Sequence, residues 1–247
     1  MTKQYTFGSG ILTATPANGL DPIEFAALQD VEIDFSGDLK SLNGQYGFPL
    51  AVGRGAQKVD VKAGNGAIDV DLYNSIFFGG TPASTGSKKL AQGESASIPA
   101  STPFTITVAN GANFYANMQV LNVVTGTRMK QVASGPATGQ YSLNAVTGVY
   151  TFAAADEGQG VIIDYLWTDT ANGQTLQLQN QLIGVAPAFS LLLAEKFDQS
   201  TLVVKLNKVS SGKLTMPLKQ ADFMISDIEM MAYVDNTNSL GFISVTG

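Results

Sequence analysis

Between Val31 and Phe35 the side chains change character at every step. Val31, Ile33 and Phe35 are interleaved with Asp30, Glu32 and Asp34, and Leu28 opens the run. A period of two belongs to a strand with one face buried and one face wet, because a helix with this order would scatter its apolar groups around the axis. Residues 57–63 repeat the pattern, with Val59 and Val61 set against Lys58, Asp60 and Lys62. Elsewhere short apolar runs are separated by turn residues, and the 26 glycines and 9 prolines suit many strands joined by tight connections. The fold class expected is mainly β.

The first 27 residues read as an arm or long loop, with a short helical turn at Pro22–Leu28 capped by Asp21. Strands are expected at 28–35, 39–43, 47–52 and 57–63, with Gly53-Arg54-Gly55 as a tight connection. Ile68–Gly79 reads as the one short helix, with Asp69 as cap and Gly79-Gly80 as stop. Residues 81–103, rich in Ser, Thr, Pro and Gly, read as a linker. Strands at hairpin spacing then follow at 104–109, 118–124, 128–133, 141–144, 149–152 and 160–167. After a connection at 168–173, strands are expected at 174–183, 188–197 and 201–209, a turn at Gly212, and an extended apolar block at 214–234 with Pro217 at an edge or bulge. A last strand falls at 240–245. The organisation expected is nested: residues 1–80 and 173–247 form a discontinuous β core, and residues 104–168 an inserted β-sandwich.

Composition narrows the chemistry. The 247 residues contain no cysteine and no histidine. Disulfides, thiolate nucleophiles, the Ser-His-Asp triad and histidine-ligated zinc are therefore excluded in their usual forms. Walker, Rossmann and EF-hand spacings are absent, and the G-x-G triplets at 53–55, 64–66 and 158–160 suit turns better than phosphate. No enzyme activity and no cofactor are expected. Charged residues make up only 14% of the chain, against roughly 25% in ordinary soluble domains. Net charge is −6 and the basic residues are scattered, so repulsion of DNA is expected rather than binding. The start lacks an apolar signal region, and the longest apolar stretch, Leu182 to Ala194, is broken by Gly184 and Pro187, so neither a secretory signal nor a membrane-spanning helix is expected, and any export would use another route.

Two groups of residues stand out. Asp21, Glu24, Asp30, Glu32, Asp34 and Asp38 fall in a stretch with no basic residue between Lys3 and Lys40. Asp30, Glu32 and Asp34 share one strand face, which reads either as a solvated face or as an acidic surface that must not hold DNA. The block 214–234 carries large apolar groups on both of its faces, including Met224, Ile228, Met230 and Met231, so it is expected to be buried partly in the core and partly by a partner.

The order of these features resembles the tail tube proteins of bacteriophages. The stretches that carry the likeness are Leu42-Asn43-Gly44-Gln45-Tyr46-Gly47-Phe48-Pro49 and Ile76-Phe77-Phe78-Gly79 in the first part of the chain. The second part adds Gly148-Val149-Tyr150-Thr151-Phe152-Ala153-Ala154-Ala155-Asp156, Asn180-Gln181-Leu182-Ile183-Gly184-Val185-Ala186-Pro187 and Lys219-Gln220-Ala221-Asp222-Phe223. The resemblance implies a β-sandwich or barrel core with one flanking helix, here with an immunoglobulin-like insert. It further implies hexameric rings stacked into a tube that conducts the genome. Implied partners are copies of the chain, other tail proteins such as the tape measure and terminator, and passing double-stranded DNA without specific binding. The implied location is the virion tail, assembled in the host cytoplasm. In that setting Asp30, Glu32 and Asp34, or alternatively Asp227 and Glu229, line the channel, and Met224, Ile228, Met230 and Met231 meet neighbouring subunits. The rival expectations are a capsid decoration protein and, further off, a receptor- or carbohydrate-binding module.

Overall fold

A computed structural model describes residues 5–17, 19 and 21–246. The protein is mainly β and divides into two compact units, residues 1–83 with 176–247, and residues 84–175. Lys3, Asn18 and Leu20 lie outside the described residues.

The first unit opens with β1 (Ile11–Pro16), β2 (Ile23–Glu24), β3 (Leu28–Asn43) and β4 (Pro49–Asn65). The stretch expected as an arm thus contains a strand, and no helical turn forms at 22–28, where β2 pairs with β1 instead. The four short strands expected between 28 and 63 are two long ones. Gly53-Arg54-Gly55 makes no turn; it lies inside β4, and the chain reverses only at 44–48. Helix α1 (Val70–Tyr73) runs straight into a π-helical turn, Asn74–Phe78. Asp69 accepts a hydrogen bond from the Leu72 amide at 3.0 Å, and Gly79 ends the helix at φ 59°, where a Cβ would be strained. Leu72 and Ile76 are fully buried, so the helix packs its apolar side against the sheet.

The second unit holds β5 (Ser84–Ser97), β6 (Thr105–Thr107), β7 (Phe114–Asn122), β8 (Lys130–Gln131), β9 (Gln140–Asn144), β10 (Val149–Phe152) and β11 (Gly160–Thr175). Two sheets, β6-β10-β9-β8 and β5-β11-β7, close on one core that contains Ile98, Val120, Tyr150, Val161 and Ile163. The expected linker at 81–103 is corrected here: most of it is β5, paired with β11 from Ser84↔Thr175 to Ser97↔Gly160. The connection expected at 168–173 lies within β11, at a break in its ladder between Asp169↔Ser87 and Gln174↔Thr85, where Asp169 accepts from the Ala171 and Asn172 amides. Low apolar content misled in both places. An edge strand gains its stability from ladder hydrogen bonds and one covered face, so Ser, Thr and Lys suffice on the other.

The chain returns to the first unit with β12 (Phe189–Phe197), β13 (Ser200–Thr215), β14 (Ser226–Ala232) and β15 (Gly241–Thr246). Residues 176–188 form no strand, contrary to the run expected at 174–183. Gly212 is not a turn; it sits at a register shift within β13, between Ser211 and Lys213. Pro217 lies in the loop 216–225, and within the expected apolar block residues 214–215, which end β13, and 226–232 are strand. The resulting sheet has the order β2-β1-β12-β13-β14-β4-β3, with β15 paired to the first half of β13 while β14 pairs to its second half. Its core gathers Leu12, Val61, Phe189, Leu191, Val209 and Ile228 beneath α1. Among the described residues no helix is long and apolar enough to cross a membrane.

Buried polar groups in the second unit are tied together. Asn117 donates to the Tyr141 hydroxyl at 2.7 Å and accepts from the Tyr150 hydroxyl at 2.9 Å, while the Tyr165 hydroxyl donates to Glu94 at 2.7 Å. Burial pushes all three phenols above their ordinary range, so they stay protonated. Asn117→Ala removes a partner from two tyrosine hydroxyls at once and is expected to lower stability by about 2 kcal/mol in denaturant titration. Because Ser84 and Thr175 are cross-strand partners, replacing residues 84–175 by a few glycines and serines is expected to leave a first unit that still melts cooperatively, as read by circular dichroism.

Candidate functional site

The site is built by register. In β3, β4 and β14 the partners run Val31–Ala63–Ile228, Glu32–Lys62–Glu229, Ile33–Val61–Met230 and Asp34–Asp60–Met231. Directly opposed residues project to the same side of a sheet. Val31, Ile33 and Phe35 therefore point to the core, and Asp30, Glu32, Asp34, Asp60, Asp227 and Glu229 point away from it. Asp30, Glu32, Asp34, Asp227 and Glu229, expected as alternative sets, lie together on one face.

That face also carries lysines whose role the sequence alone did not reveal. Lys213 pairs with Glu229 at 2.7 Å, Lys58 with Asp60 at 2.7 Å, and Lys62 approaches Glu32 at 4.0 Å. Since Lys62 stands between Glu32 and Glu229, and Glu229 stands between Lys62 and Lys213, signs alternate across four strands. The Lys213 hydrogen bond holds the Glu229 carboxyl below its ordinary range. Six carboxylates against three ammonium groups leave the face at a net −3. These pairs are exposed, so each contributes little to stability; what they do is flatten the field without reversing its sign. Gly64 makes room for this arrangement, because a Cβ there would stand 2.0 Å from an Asp30 carboxylate oxygen.

The apolar candidates divide differently. Ile228 is fully buried and Met230 is 3% exposed, so both belong to the protein's own core and are withdrawn as subunit contacts. The strict alternation of β14 explains it, since each is opposed by a core residue of β4. Met231 is half exposed on the charged face, and Met224 is partly buried in the loop before β14.

The larger exposed apolar surface lies elsewhere. The last pair between β14 and β4 is Ala232↔Val59, and beyond it β3 and β4 continue alone as a two-stranded arm to residues 44–48. Leu39, Leu42, Tyr46, Phe48, Leu50 and Val52 on this arm are all more than half exposed, Phe48 at 86%. Where the arm leaves the sheet, the core is open. Phe35 follows Val31 and Ile33 on the inward side yet is 53% exposed, at the wall of a groove of about 900 Å³. A smaller groove, sharing Phe35 and Leu240 with it, continues along β15. The turn beside the groove is held by Asp235, which accepts from the Thr237 and Ser239 amides at 2.8 and 2.9 Å.

No known protein family matches the sequence, and neither does any curated protein.

Two tests probe this geometry. Gly241 has φ 144°, and a Cβ there would lie 1.8 Å from the Lys205 carbonyl oxygen, so Gly241→Ala is expected to detach β15 and lower stability by at least about 2 kcal/mol in thermal or chemical unfolding. The backbone and side-chain donors around Asp235 hold its carboxyl down at about 2. A depressed folded-state value means a stabilisation fully present above the ordinary carboxylate range and lost as pH falls towards 2. The stability difference between the protein and Asp235→Ala is thus expected to be constant above pH ~5 and to shrink below pH ~4, measured by unfolding across pH.

Proposed function

We propose that this protein is a structural subunit that assembles with copies of itself into stacked rings, forming the tube of a bacteriophage tail. The observation that carries the reading is the two-stranded arm of β3 and β4. An isolated hairpin is marginal in water, and each large apolar side chain left exposed forgoes about 1.5–3 kcal/mol of burial. Six such residues on one arm mark a surface completed by another molecule. The free edges of β3 and β15 add to this, since each bonds to one neighbour only among the described strands. Copies placed side by side remove such edges, and rotation about one axis closes them into a ring.

The charged face of β3, β4 and β14 supplies the lining. Its net negative sign repels a polyanion, while the interleaved lysines keep the repulsion weak, so DNA passes without being held. The ring of six and the other tail proteins as partners come from the resemblance of the sequence motifs.

Negative-stain microscopy of the concentrated protein is expected to show rings or tubes of uniform diameter. Tyr46→Ser with Phe48→Ser is expected to abolish them while shifting the melting temperature by no more than a few degrees, because both side chains are already in water in the single chain. A protein that remains monomeric at every concentration overturns the reading.

A further inference from the structure

The two ends of the first unit's sheet carry unlike surfaces. Ser226↔Asn65 marks one end of β14 and Ala232↔Val59 the other, about 20 Å apart for a seven-residue strand. The groove opens at the second end, where Val59, Met231, Tyr233, Val234 and Leu240 form its apolar walls. The cations Arg54, Lys58 and Lys205 line it and its extension, and no carboxylate does. In a chain of net charge −6 this is the exceptional place. Lys58 is paired with Asp60, but among the described residues neither Arg54 nor Lys205 takes part in an ion pair.

The loop 216–225 leads into Ser226 and so lies at the first end. It presents Phe223 at 89% exposure and Leu218 at 85%; the neighbouring Asp222 carboxylate accepts from the Phe223 amide at 2.8 Å and stands 3.5 Å from the Lys219 ammonium, an exposed pair that holds it only weakly. An aromatic group next to an anion is what an apolar groove with unpaired cations recognises. The loop cannot reach the groove of its own chain, because the length of β14 separates them.

We propose that the loop 216–225 of one copy docks in the groove of the next, with Phe223 against Phe35, Tyr233 and Leu240 and Asp222 facing Arg54. Unlike surfaces at opposite ends make the contact head-to-tail, and repetition of it builds a filament along the strand direction of β14. The pairing rests on the tube reading and names the contact through which rings stack.

The absence of cysteine from the chain allows a direct test. Two single variants, Ala221→Cys beside the loop tip and Gln57→Cys on the groove rim, are mixed and oxidised. The expected product is a heterodimer joining residue 221 to residue 57, identified by peptide mapping and at least tenfold in excess of either homodimer. Adding Phe223→Asp to the first variant is expected to remove it. Homodimers at equal yield, no cross-linking, or a heterodimer indifferent to Phe223→Asp overturns the docking. Microscopy of the unsubstituted protein separates the two levels: tubes without the specific cross-link refute this contact and leave the tube reading standing, whereas the cross-link without rings or tubes refutes the tube and leaves the contact.

Discussion

The cross-strand register of β3, β4 and β14 fixes most of what this protein presents. Val31, Ala63 and Ile228 share one row, and Glu32, Lys62 and Glu229 the next. The same pairing that stacks aliphatic groups over α1 therefore interleaves opposite charges on the reverse side. A slip of one residue would bring the carboxylates into the core and the valines into water, at a cost far beyond any gain from the exposed ion pairs. The apolar face sets the register, and the charge ladder follows from it. The converse does not hold, since contacts such as Lys62 to Glu32 at 4.0 Å are too exposed to choose a register.

The register also determines where the core stops. β14 ends at Ala232, but β3 and β4 run on, so the inward side of the sheet loses its third strand just where Phe35 would need it. β15 does not fill the space, because it pairs with β13 between Thr201 and Leu206. A gap is left between the arm and β15, walled by side chains that belong to the core by alternation and to the surface by exposure. A folded domain has a net stability of only about 5–15 kcal/mol. So much apolar surface held open on one arm and one groove is compatible with a single folded chain, and it is the surface on which the proposed association rests.

The alternating strand and the helix were legible in the residues themselves. Asp30–Phe35 fixes a half-buried strand without reference to anything distant, and Asp69, Leu72, Ile76 and Gly79 mark a helix by cap, spacing and stop. The failures have a common physical origin. Gly53-Arg54-Gly55 and Gly212 look like turns, yet each lies in a strand where the partner supplies the order that the local sequence lacks. Residues 84–97 look like a linker until β11 pairs with them. Of the candidate site, the acids were found because alternation reveals a face, but their union on one sheet depends on pairs more than 150 residues apart in the chain, such as Ser226 with Asn65. Ile228 and Met230 were misassigned because a run of apolar residues does not disclose which of them a neighbouring strand will cover.

The two units meet the requirement of burial in different ways, and this separates their roles. In residues 84–175 the buried polar atoms satisfy one another: Asn117 joins two tyrosines, Glu94 and Asn110 share the Tyr165 hydroxyl, and Asp164 takes the Gly93 amide at 2.6 Å. Networks of this kind specify one packing and are costly to leave half made. The seven strands close on their own core, and the unit is complete as a fold. In the other unit the Ser36 hydroxyl and one oxygen of Glu195 are buried without partners among the described residues, the core opens at Phe35, and the arm stands in water. A closed module tolerates insertion because it asks nothing of its host, whereas an unfinished one is constrained by whatever completes it. In the proposed assembly the burden of association therefore falls on the first unit, and substitutions on its arm, groove and loop are the ones expected to disturb that assembly before they disturb the fold.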